Sequence, residues 1–125
     1  MPLNKDSLSN ISSYLFDEFL KHTDKYKTVS FFLRSPGGSL LMFKIMHSYF
    51  LDKSLHVEEL IRKVPMSISS RLSLFGLIDN AVKKGILIKE ASTDGDKRKK
   101  SIAPSDIFVK EYKDWLHRYI SEIQS

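Results

Sequence analysis

Two stretches decide the fold: Ala81-Val82-Lys83-Lys84-Gly85-Ile86-Leu87-Ile88-Lys89-Glu90 and, two residues later, Thr93-Asp94-Gly95-Asp96-Lys97-Arg98-Lys99-Lys100-Ser101-Ile102-Ala103-Pro104-Ser105. Lys83-Lys84 close a helical pattern, and Gly85 stands where a left-handed residue ends a helix. Ile86 to Glu90 is short and β-branched. Asp94-Gly95 is a strong turn signal, so Lys99 to Ala103 is predicted to pair back as the second strand of a hairpin with a cationic tip. Pro104 ends that strand and Ser105 caps the next helix.

Upstream, Val64-Pro65-Met66-Ser67 stops one helix, because proline disfavours helical geometry at the residue before it. Ser67 or Ser69 is expected to cap a new helix running to Lys84, with Ile68, Leu72, Phe75, Ile78 and Val82 as its buried stripe. On its far side lie Ser69, Ser73, Gly76 and Asn80, flanked by Ser70, Arg71 and Lys83. The preceding helix, Leu55 to Val64, has acidic residues in its first turn and basic ones in its last, which suits the helix dipole.

Further out, Ser35-Pro36-Gly37-Gly38 is read as a break, and Ser39 as the cap of a central helix to about Leu51 with Leu40, Met42, Phe43, Met46, Tyr49 and Phe50 as its apolar face. Lys25 to Leu33 is ambiguous between an extended segment and a short helix. A first helix from about Asp6 to His22, capped by Asn4 or Asp6, carries Leu8, Ile11, Leu15, Phe16, Phe19 and Leu20 on one side. A last helix after Ser105 carries Phe108, Tyr112, Trp115, Leu116, Tyr119, Ile120 and Ile123.

The chain has 125 residues and no cysteine. That length suits one compact domain, and the missing thiols exclude disulfide scaffolds, thiolate zinc sites and cysteine nucleophiles. The longest apolar runs are Leu40 to Phe43 and Phe31 to Leu33, far short of the ~20 residues of a membrane span. The polar start Met1 to Asp6 lacks a secretory apolar segment, so the expected location is cytoplasmic. The formal charge of +5 is uneven. Residues 1–52 hold six Lys/Arg against five Asp/Glu, residues 53–104 eleven against six, and residues 105–125 three against four. A basic centre between near-neutral ends suggests a polyanion footprint.

Two helices joined by a turn, then a two-stranded hairpin with a basic tip, is the serial order of a winged helix-turn-helix. The expected fold is mainly α with a small β-hairpin, the winged helix-turn-helix being flanked by N- and C-terminal helices. It forms a single domain over 1–125, with a helical dimerisation segment at 1–34, a core at 39–104 and a C-terminal helix at 105–125. A duplex groove admits one α-helix, so a reader needs a helix whose outer face is free of bulk. Ser67, Ser69, Ser70 and Ser73 can hold phosphates, while Arg71 and Asn80 can make bidentate contacts to guanine and adenine. Lys97, Arg98, Lys99 and Lys100 suit a neighbouring phosphate run or a narrow minor groove.

The segment Ala81 to Glu90 resembles the recognition-helix end and first wing strand of MarR-type (multiple antibiotic resistance regulator) winged-helix repressors. Asp94 to Ser105 is similar to their wing, in which an Asp, one intervening residue and an Arg precede a basic strand. The likeness spans about Leu40 to Ser105. It implies that Asp96 braces the wing, that Arg98 enters the minor groove, and that the chain is a regulator of transcription binding double-stranded DNA. Family members usually carry two helices after the wing, whereas about twenty residues remain here. The expected partners are double-stranded DNA and a second copy, joined through the first and last helices.

Competing readings exist for several of these residues. Arg71 has Glu58 or Glu59 on the preceding helix as alternative partners, Asn80 can be a plain surface residue, and the 97–100 cations a merely soluble loop. Trp115, Tyr112 and Tyr119 are read as core or a self-association seam. His22, His47, His56 and His117 lack the short spacing of a metal pair. The chain has no phosphate-binding loop, no Gly-x-Ser-x-Gly elbow and no His-Glu-x-x-His helix, so neither catalysis nor a cofactor is expected. Asp94 and Asp96 are read as turn formers. Nothing identifies a small-molecule effector. The rival functions are a protein-interaction module built on the same fold and a non-specific architectural DNA binder.

Overall fold

The computed structural model describes residues 3–21, 24–90 and 101–124. Its order is α1 (Lys5–Lys21), a single 3-10 turn (Asp24–Tyr26), α2 (Lys27–Leu33), α3 (Pro36–Phe50), β1 (Leu55–His56), α4 (Val57–Arg62), α5 (Arg71–Lys83), β2 (Leu87–Glu90), β3 (Ser101–Pro104) and α6 (Asp106–Gln124). The chain is mainly helical with a small antiparallel sheet in the order β1-β3-β2. No helix among the described residues is long and apolar enough to cross a membrane.

The core is built around α3, whose Leu41, Met42, Ile45 and Met46 are buried. Leu40, Phe43, Tyr49 and Phe50, expected on that inner face, lie exposed beside it. The helix also starts earlier than its sequence suggests. Ser35, not Ser39, is the cap, its Oγ accepting from the Gly38 amide at 3.0 Å, and Pro36 takes the first helical position, where its missing N–H costs nothing. The two glycines therefore do not break the chain. A Cβ on Gly38 would collide with the Phe32 carbonyl oxygen, and one on Gly37 would lie 2.8 Å from Ser69 Cβ, so both permit close approach of neighbouring segments.

The ambiguous segment resolves as the 3-10 turn and α2. No side chain of Tyr26 caps α2; a distant carboxylate serves instead. Glu111 of α6 accepts from both the amide and the hydroxyl of Thr28, at 3.0 and 2.6 Å, and places negative charge at the helix N-terminus. The Phe32 and Phe108 rings stack at 5.2 Å, continuing the α2–α6 seam into the core.

Leu55 and His56, expected within a helix, form β1. They pair with Ile102 and Ser101 of β3, and α4 begins only at Val57. β2 and β3 pair antiparallel with Leu87 opposite Pro104 and Glu90 opposite Ser101. β3 as described runs Ser101–Pro104 and so includes Pro104, with Ser105 capping α6 through the Phe108 amide; Lys99, Lys100 and the expected Asp94-Gly95 turn lie outside the described residues.

α1 turns a different side inward from the one its apolar pattern suggests. Glu18 is buried, and Ile11, Tyr14 and Leu15 are half-buried against α6, while Leu8, Phe16, Phe19 and Leu20 are exposed. Asn4 caps α1, its Oδ1 accepting from the Ser7 amide at 2.8 Å.

Candidate nucleic-acid interface

The face of interest is the outer side of α5. Eight residues, 63–70, join α4 to α5, and within them the Ile68 and Ser69 amides donate to the Pro65 carbonyl at 2.9 and 3.3 Å. Ser67 therefore lies in the turn and Ser69 at its end; neither caps α5. The cap is Ser70, whose Oγ accepts from the Ser73 amide at 3.1 Å and donates to Ser73 Oγ at 2.9 Å. The last turn closes in a Schellman motif. The Ile86 amide donates to the Ala81 carbonyl and the Gly85 amide to the Val82 carbonyl, with Gly85 at φ +77°.

The buried stripe of α5 is Leu74, Ile78 and Ala81, with Phe75, Leu77 and Val82 partly covered. This corrects the sequence-based stripe: Leu72 is 84% exposed and Ile68 is exposed as well. The physical reason lies on α3. Gly37 carries no side chain where Leu74 arrives, so Leu74 seats against the start of α3 and sets the rotation of the helix. Nine residues, about two and a half turns, separate Leu72 from Ala81, which places them on opposite sides. The outermost row is Leu72, Gly76, Asp79 and Lys83, with Ser73 and Asn80 along its flank.

Arg71 opens α5 paired to Glu58 of α4 at 3.1 Å, with both side chains at least half exposed. Such a pair contributes about 0–1 kcal/mol and opens readily. Arg62, Lys63, Lys83 and Lys84 are exposed around the same two helices, as are Glu59 and Asp79. The structure thus brings Ser70, Arg71, Ser73 and Asn80 onto or beside one helical face, with Ser67 and Ser69 at its entrance. Asp96, Lys97, Arg98, Lys99 and Lys100 lie outside the described residues. The features that sequence reasoning missed are Leu72 and Asp79 on the outermost row, and Met66 in the turn, which is 72% exposed.

Elsewhere, an open groove between the 3-10 turn and α6 is lined by Lys25, Tyr26, Lys110, Lys113, Asp114 and His117. Both carboxylates that line it are engaged, since the Tyr26 hydroxyl donates to Asp114 at 2.7 Å and the Thr28 hydroxyl to Glu111. Among the described residues no group of three or more His, Asp or Glu side chains is placed to hold a metal ion. In comparisons with known proteins, no family model, curated protein or solved structure matches this chain.

Proposed function

We propose that the chain is a winged helix-turn-helix regulator of MarR-like type that binds double-stranded DNA. Under this proposal α3, α4 and α5 would be the three helices of such a fold and β1, β3 and β2 its sheet, and the wing is assigned to the segment between β2 and β3, which lies outside the described residues. In this reading α5 enters the major groove, and Lys97, Arg98, Lys99 and Lys100 lie along the adjacent minor groove or phosphates, with Asp96 bracing the wing. The observation that carries the reading is the orientation of α5. Its Leu74, Ile78 and Ala81 side is anchored in the core, and its opposite side, Leu72, Gly76, Asp79 and Lys83 flanked by Ser73 and Asn80, is exposed.

The working unit in this proposal is a homodimer joined through the first and last helices. The exposed apolar residues of α1 support it, since Phe16 and Leu20 are 65% and 63% exposed and Leu8 and Phe19 of the same helix are exposed as well. Two copies on one face of the duplex would read half-sites about 10 base pairs apart. Around six phosphate contacts would give a log-log salt slope near −5.

Mobility shift against random duplex at rising salt tests the reading. Binding that weakens with that slope supports it; a slope near zero, or no binding at low salt, removes it. Arg98→Ala should weaken binding with folding intact, and unchanged affinity would refute its assigned contact. Absence of any preferred site in selection from a random pool would leave a non-specific architectural binder. A second reading, a protein-docking module, is favoured by the exposed apolar trio Met66, Ile68 and Leu72 at the entrance to α5.

A further inference from the structure

The most exposed large apolar side chain among the described residues, Leu72, sits on the outermost row of α5, one turn before Gly76. Both residues are costly where they stand unless something comes to meet them. Leu72 exposes nearly its whole side chain to water. Gly76 lies inside an exposed helix, where glycine is less favourable than alanine, and a Cβ there would meet nothing within 4 Å. Packing within the chain therefore explains neither residue.

Resting on the DNA reading above, we propose that Leu72 is a specificity-determining residue that packs on the C5-methyl group of a thymine in the major groove, while Gly76 lets the base edges approach the helix backbone. The thymine methyl is the one apolar group that a base pair presents in that groove. The remainder of the row fits the same surroundings. Lys83 supplies positive charge, Asn80 can pair with adenine, and Asp79 can accept from the cytosine amino group. A protein partner fits less well. A stable interface needs about 800 Å² per partner, which Met66, Ile68 and Leu72 cannot supply by themselves, and the row beyond Leu72 carries no further apolar side chain.

The test uses a duplex selected by the full chain from a random pool. Each thymine is replaced in turn by deoxyuridine, which lacks only the methyl, and affinity is measured for the wild type and for Leu72→Ala. One thymine per half-site should matter, its replacement weakening wild-type binding about four-fold, as expected for one methyl group withdrawn from apolar contact. Leu72→Ala should bind the thymine and deoxyuridine duplexes equally. Because Leu72 touches little of its own chain, the variant should melt at the wild-type temperature. A wild type indifferent to every replacement overturns the proposal and leaves DNA binding intact. A Leu72→Ala protein that still discriminates overturns it too. If Leu72→Ala leaves duplex affinity unchanged, the proposal falls and the apolar trio is reassigned to a protein partner. If no duplex is bound even at low salt, the DNA reading itself fails.

Discussion

A Cβ on Gly37 would lie 3.1 Å from Leu74 Cδ2 and 2.8 Å from Ser69 Cβ, so the bare backbone at the start of α3 is what Leu74 of α5 packs against. Gly37→Ala gains at most about 1 kcal/mol of helix propensity. It loses more, about 1–3 kcal/mol, because the added methyl must displace Ser69 Cβ and Leu74. Gly76→Ala has the same propensity gain and nothing to displace. Thermal melts should therefore move in opposite directions, Gly37→Ala downward and Gly76→Ala upward. Equal shifts in the two variants would show that Gly37 is not a packing position.

The indole of Trp115 donates to Glu18 Oε2 at 3.1 Å, and both residues are buried between α6 and α1. Trp115→Phe keeps a ring in place but removes the donor from a buried carboxylate, a loss of about 1.5–3 kcal/mol for a hydrogen bond to a charged group. Glu18→Gln keeps an acceptor oxygen and should cost less. Urea unfolding of the two variants checks the order, and a Glu18→Gln protein less stable than Trp115→Phe would contradict it.

How far the sequence could be read depends on the number of alternative faces each helix offered. The Gly85 helix end, the pairing of β2 with β3 and the Ser105 cap were all legible, because each rests on a local signal within a few residues, whereas the Asp94-Gly95 turn expected between the strands lies outside the described residues. The rotation of α5 was not legible. Its apolar residues at 72, 74, 75, 77, 78, 81 and 82 form two overlapping stripes, and the choice between them is made by Gly37, far away in the chain. β1 reads as helix from the sequence because two residues are too few to show a period, and its partner Ile102 is remote in sequence. Glu18 was invisible as a core residue, since its partner Trp115 lies on the last helix. Among the candidate contacts, Ser70, Arg71, Ser73 and Asn80 fall on or beside the outward face, whereas the apolar periodicity alone assigns Leu72 to the core.

The hydroxyl of Tyr14 is buried with no hydrogen-bond partner among the described residues, and burial, followed by the charge of Glu18, holds its pKa above the ordinary tyrosine value near 10. Tyr14→Phe removes a desolvated group that gains nothing from the fold, so stability at pH 7 should stay level or rise by up to about 1 kcal/mol. The pH dependence has a definite sign. With the folded pKa raised, Tyr14 holds its proton more tightly in the native state; its contribution is complete below pH 10 and is lost as pH climbs through the folded value. Alkaline unfolding should accordingly be shallower in Tyr14→Phe, with Tyr112, raised by burial, supplying the remaining slope.

The exposed side of α1 predicts the oligomeric state of a double variant. Phe16→Glu with Leu20→Glu places two charges where the proposed dimer seam lies, and both parent side chains are mostly in solvent within one chain. The fold should survive, with unchanged helical circular dichroism, while light scattering shows the mass falling from dimer to monomer. A wild-type protein that is already monomeric at micromolar concentration would remove the seam.

The Arg71–Glu58 pair gives a test that separates stability from binding. Both side chains are at least half exposed, so breaking the pair should change stability by no more than about 1 kcal/mol. Under the DNA-binding proposal the same guanidinium is needed for a base or phosphate, and Glu58 would compete with the duplex for it. Glu58→Gln should tighten duplex binding by removing that competitor, and Arg71→Ala should weaken it. Glu59→Gln makes the same change of charge one residue along, and Arg71 hydrogen-bonds to Glu58 Oε2. The gain of Glu58→Gln over Glu59→Gln therefore isolates the release of Arg71 from the general loss of repulsion. Equal gains in the two variants, measured by fluorescence anisotropy at one salt concentration, would mean that Arg71 stays on Glu58 when DNA binds and reads nothing.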